Sequence, residues 1–126
     1  MTDRSTVRYA PVSLPVHALL DVLLLGLLAA SPWLFGYSQH EAATMFAVGF
    51  AILGMGLNFI TDYPVGLWRK LPMKWHRMVE LTSPPLTIGV PWIFFSDAGA
   101  FPWVATTLGV AILTSAALTR PVQDQA

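Results

Sequence analysis

Four apolar runs constrain this chain more than any other feature: about Leu14 to Phe35, Ala42 to Ile60, His76 to Phe95 and Pro102 to Leu118. Roughly 20 apolar residues let a helix cross the hydrocarbon layer of a bilayer, and each run is long enough to do so. In lipid they must be helices, because a lone strand would leave its backbone polar groups unsatisfied. Four such spans take about 80 residues out of 126, which leaves too little for a separate soluble domain. The expectation is an all-α, polytopic membrane protein: one four-helix domain over residues 1–126, with the lipid bilayer as its first partner.

Composition excludes several function classes. Charged residues make up 11% of the chain, against about 25% in soluble proteins. The absence of cysteine removes disulfides, thiol nucleophiles, iron–sulfur clusters and thioether-linked haem. A formal net charge of zero gives no reason to expect a nucleic-acid partner. The chain has no Walker-type phosphate loop, HExxH or GxSxG motif, so neither an enzyme nor a resident cofactor is expected. Basic residues before the first run raise the question of a cleaved signal peptide. That reading is set aside, because the run continues through Pro32-Trp33-Leu34-Phe35 and the same segment recurs later as a span.

Punctuation and charge give a topology. Pro11, Pro15, Pro32, Pro64, Pro72, Pro91, Pro102 and Pro121 fall at or beyond run ends, where a residue without an N–H does least harm. Pro84 and Pro85 lie inside the third run and should kink it. Trp33, Trp92 and Trp103 mark one set of ends, and Trp68 and Trp75 the other, as interfacial belts require. All seven basic residues (Arg4, Arg8, Arg69, Lys70, Lys74, Arg77, Arg120) lie in the tails or around the middle loop. The positive-inside rule then places both termini and that loop in the cytoplasm, in what is expected to be a prokaryotic inner membrane.

The chain also repeats itself at an offset of 59 residues. His17 matches His76, Asp21 matches Glu80, Leu27 matches Leu86, and Pro32-Trp33-Leu34-Phe35 matches Pro91-Trp92-Ile93-Phe94. Spans two and four align only loosely. Each half, about 14–64 and 73–121, then forms a two-helix hairpin, and the hairpins run parallel about an axis along the membrane normal. Ser31-Pro32-Trp33 followed by Leu34-Phe35-Gly36, in a two-span unit that repeats, resembles the SPW-repeat family of bacterial and archaeal membrane proteins. The second copy departs from the motif, reading Val90-Pro91-Trp92. The resemblance implies the repeated architecture and brings no activity with it. Physically, Ser-Pro-Trp reads first as a helix-end device: the hydroxyl takes up a freed backbone group and the indole anchors at the headgroups.

The polar residues supply the candidate site. His17-x3-Asp21 and His76-x3-Glu80 each set an imidazole and a carboxylate one turn apart on one helical face. If the first and third spans touch, the four converge on a metal site, a proton relay or, through the two histidines, an axially ligated haem. Asn58 and Asp62 are further candidates. The leading expectation is plainer: carboxylates near helix starts that reach interfacial water, with Lys74, Arg77 and Arg120 as counter-ions. His40, in an outer loop, reads as solvated. Small-residue rows at Ala43-Ala47-Ala51 and Thr107-Ala111-Ser115 read as packing within the bundle, with a homo-oligomer or larger membrane complex as the alternative. The sequence thus favours a non-enzymatic accessory or interaction protein, ahead of a metal, haem or proton site and of an oligomeric small-solute transporter.

Overall fold

The computed structural model describes residues 11–119 of the 126. Arg4, Arg8, Arg120 and Pro121, used above for orientation and span ends, lie outside them. Among the described residues all regular structure is helical. Helices α1 (Leu14–Leu34), α2 (Glu41–Ile60) and α5 (Phe101–Leu118) are long and apolar enough to cross a membrane.

The third apolar run is not one helix. It is built from α3 (Met73–Thr82), a π-helical turn (Pro85–Gly89) and α4 (Val90–Phe94). The cause is the Pro84-Pro85 pair. Neither residue has an N–H, so the carbonyls of the preceding turn lose their donors. The Ser83 hydroxyl lies 3.4 Å from the Glu80 carbonyl oxygen in partial replacement, and the wider π turn absorbs the remaining mismatch.

The same device sits at the far end of α1. Pro32 lies inside the last turn of α1, at the end of the first apolar run. It leaves the Leu28 carbonyl without its usual donor, and the Ser31 hydroxyl donates to that oxygen at 2.6 Å. Ser31 also pairs with the Tyr37 hydroxyl. Burial raises the Tyr37 phenol above its ordinary pKa, although the Ser31 bond works the other way. Trp33 is exposed while Ser31 and Pro32 are buried, which fits a helix-end anchor. In the second copy Pro91 is buried and the exposed Trp92 donates from Nε1 to Thr106 Oγ1 at 2.8 Å.

Buried positions follow helical periodicity. On α1 they are His17, Ala18, Asp21, Leu25, Leu28, Ser31 and Pro32; on α2, Ala43, Ala47, Ala51 and Asn58. The α2 alanine row is therefore internal packing, and α1 closes on α2 along it. The second row is not a buried stripe. Thr107 is exposed, Ala111 half-buried and Ser115 buried, whereas Ala105, Leu108, Gly109 and Ala116 face inward. The strict spacing of four drifts off a face that turns every 3.6 residues.

Helix α1 also packs on α5, and α5 in turn on α3, the π turn and α4. The apolar core around Leu28, Tyr37, Ala47, Phe101 and Leu108 fills the end of the bundle remote from the basic loop. Both turns at that end use a glycine in the left-handed region, Gly36 at φ 74° and Gly99 at φ 56°, where a Cβ would be strained. At the basic end two short bridges tie segments together, Val12 to Thr119 and Thr61 to Leu71.

Candidate metal centre

His17 and Asp21 project from one face of α1, and His76 and Glu80 from one face of α3. All four are buried, at 0%, 2%, 0% and 7% exposure in that order, so the carboxylates do not reach water as expected. Neighbouring elements close over them: the Tyr63 ring sits 4.9 Å from His76, and Ala18, Tyr63 and Met73 pack beside the group.

The four form a closed ring of alternating imidazole and carboxylate. His17 Nε2 is 3.2 Å from Asp21 Oδ2 and 3.1 Å from Glu80 Oε2. His76 Nε2 is 3.2 Å from Asp21 Oδ2 and 3.2 Å from Glu80 Oε1. These four contacts are close to the ligand–ligand edges of about 3.3–3.4 Å that a tetrahedral ion held at about 2.0–2.1 Å would set. Hydrogen bonding satisfies the ring only in part, through His76 Nε2 and Asp21 Oδ2 at 3.2 Å. His17 Nε2, Asp21 Oδ1 and Glu80 Oε2 are buried with no hydrogen-bond partner.

The outer nitrogens are fixed by hydroxyls that sequence reasoning missed. His17 Nδ1 lies 2.7 Å from Thr119 Oγ1, and His76 Nδ1 lies 2.8 Å from Thr61 Oγ1. Each threonine hydroxyl already donates its one proton to a backbone carbonyl, Thr119 to Ser115 at 2.5 Å and Thr61 to Leu57 at 2.6 Å. It must then accept from the imidazole, which places the proton on Nδ1 and leaves Nε2 to face the carboxylates. Ser115 Oγ adds a contact to His17 Nδ1 at 3.2 Å. The Tyr63 hydroxyl donates to Asp21 Oδ2 at 3.3 Å. Burial, then the charges of Asp21 and Glu80, raise the Tyr63 phenol well above its ordinary pKa, so it remains a donor. The missed signal was the threonine that ends each of α2 and α5, at an offset of 58 where the histidines are offset by 59.

The proposed counter-ions go elsewhere. Arg77 donates to the Thr119 carbonyl at 3.0 Å, capping α5, and the Lys74 ammonium sits 5.6 Å from the Trp75 ring centre. Asp62 is exposed and 3.8 Å from Arg69, so it does not join the ring. Asn58 is buried beside it. His40 is half-buried, not simply solvated: its Nδ1 accepts from the Ala43 N–H at 3.2 Å, capping α2, and its Nε2 lies 3.4 Å from Asp97. A haem between the histidines does not fit. Both Nε2 atoms share one oxygen of Asp21, and the carboxylates fill the space a porphyrin would need.

Two imidazoles and two carboxylates suit a divalent first-row ion, and the four side chains can each offer a ligand atom within 4.8 Å of the others. Their threonine partners are the kind of outer-shell contact that fixes a metal-binding histidine's tautomer. A family model described as SPW repeat domain matches residues 15–119. No curated protein and no solved structure matches the chain.

Proposed function

The chain belongs to the SPW repeat family, and we propose that it is a four-span membrane protein whose buried ring holds a divalent transition-metal ion. The observation that carries this reading is the orientation of the two imidazoles. Both turn Nε2 toward the same two carboxylates and both have Nδ1 tied to a threonine. A dipositive ion would neutralise the two carboxylates, which a dry interior otherwise penalises. Two protons could do the same, so metal and protons compete for the ring. Four protein ligands leave no open position for a substrate, the pattern of a structural ion. On this reading the protein is a non-enzymatic accessory component whose fold is locked by its ion.

The architecture we propose is two parallel hairpins, α1–α2 and α3–α5, with α3, the π turn and α4 together making the third span. Its support is a set of crossed pairs. Val12 bridges Thr119 as Leu71 bridges Thr61, and His17 meets Thr119 as His76 meets Thr61. On this reading both termini and the middle loop face the cytoplasm across a prokaryotic inner membrane, which the positions of the basic residues support.

The test is elemental analysis of full-length protein purified from its native membrane without chelators. About one zinc, iron or manganese ion per chain, lost in His17→Ala and in Glu80→Gln, is the expected result. Metal-free protein that also takes up none of these ions when supplied would overturn the reading in favour of a ring neutralised by protons.

A further inference from the structure

A cavity of about 300 Å³ separates α2 from α3 and the π turn, at the lower end of the range of small-molecule sites. Its walls are apolar, with Leu25, Phe50, Leu57 and Ile112 among them. Leu53 on α2 and Val79 and Leu86 on the opposite wall are exposed. The cavity therefore opens sideways, toward the acyl chains of the bilayer.

The inner end is polar. Asp21, His76 and Glu80 present one side of the ring there, and Asn58 stands beside them. Asn58 is 2% exposed and its Nδ2 has no hydrogen-bond partner. An unpaired buried amide donor is costly, and native structures keep few of them.

Nor does the scaffold require this donor. On the duplicated reading above, the seam between α2 and α3 is equivalent to the seam between α5 and α1. Helices α1 and α5 pack together closely, whereas α2 packs on α1 and leaves the gap to α3. Counting back from Thr61 and Thr119, Asn58 corresponds to Ala116, which is fully buried. One seam is sealed with an alanine; the other is open and furnished with an amide.

We propose that this cavity binds a neutral, lipid-soluble carbonyl compound that enters from the bilayer and accepts a hydrogen bond from Asn58 Nδ2. The apolar walls and side opening select a molecule dissolved in the acyl layer. The free N–H selects an acceptor, which a hydrocarbon chain lacks. Asp21 and Glu80 at the inner end disfavour an anion, and with it a phospholipid headgroup. The inference extends the site proposed above, but the apolar walls, the side opening and the free Asn58 donor do not depend on an ion in the ring.

The test uses full-length protein in detergent, with 2-decyl-1,4-benzoquinone as probe and dodecylbenzene, which has no carbonyl, as reference. Bound molecules are counted by native mass spectrometry. The expected result is saturable binding of one quinone, about tenfold weaker in Asn58→Leu through loss of a single hydrogen bond. Val79→Trp, a change at the exposed mouth, should block it. Equal binding of dodecylbenzene, or unchanged quinone binding in Asn58→Leu, would overturn the proposal and leave a cavity filled by acyl chains or water. Metal content is read on the same samples. Asn58→Leu should keep the ion while binding the quinone about tenfold more weakly, so failure of either proposal shows separately.

Discussion

His76 Nε2 on α3 stands 3.2 Å from Asp21 Oδ2 on α1. With the contact of His17 Nε2 and Glu80 Oε2 at 3.1 Å, it links α1 to α3 through buried polar groups. Asp21 is shared, because His17 reaches the same oxygen at 3.2 Å. Removing either imidazole therefore leaves a buried carboxylate short of a partner. His17→Ala should destabilise the protein by about 3–5 kcal/mol, measured as reversible unfolding in detergent. His40→Ala removes a partly exposed helix cap and should cost only about 0.5–2 kcal/mol. Equal effects of the two would contradict a ring at the centre of the fold.

Thr61→Val and Thr119→Val keep shape and remove the acceptor that holds each Nδ1. Loss of such an outer contact weakens metal binding about 10–100-fold. The two variants should behave alike, since each threonine holds its histidine at nearly the same distance, 2.8 and 2.7 Å. Competition against a chromophoric chelator would read this directly, and an unchanged affinity in both would speak against the orienting role.

Ser31→Ala takes away the donor to the Leu28 carbonyl and the partner of Tyr37. The expected destabilisation is about 1–3 kcal/mol, because a buried polar group loses its bond. Since the two hydroxyls share one contact, Ser31→Ala and Tyr37→Phe should combine to less than the sum of their separate effects. Strict additivity in the double-mutant cycle would show that the pair does not act as a unit.

Alkaline titration probes Tyr37 and Tyr63, whose phenols are both raised above the ordinary value. In the unfolded chain each ionises near pH 10. Above that pH the unfolded state has released protons that the folded state keeps, so stability falls as pH rises. The stabilisation is complete below about pH 10 and is lost as pH climbs through the folded values. Absorbance of phenolate near 295 nm should lag until the protein unfolds; two of the three tyrosines ionising freely in folded protein would contradict it.

Much of this was legible from the sequence, for identifiable reasons. The His17/Asp21 and His76/Glu80 pairs were visible because a spacing of four survives as one helical face. The Pro84-Pro85 break was visible because proline has no donor wherever it sits, although the π turn that resolves it depends on packing against α5. The depth of the ring was not legible. Burial of His17 and His76 is imposed by Tyr63 and the threonines that end α2 and α5, and no local spacing announces those partners. Arg77, expected as a counter-ion, instead donates to the carbonyl at the end of α5.

The crossed threonine bonds have a consequence for how the molecule is made. His17 waits for Thr119, 102 residues later in the chain. At about 5–20 residues per second, synthesis leaves that imidazole without its oxygen partner for some 5–20 s. A nascent first hairpin thus holds only half of each bonded set, its own His17 and its own Thr61. The His17–Thr119 bond therefore closes only once the end of α5 stands beside α1.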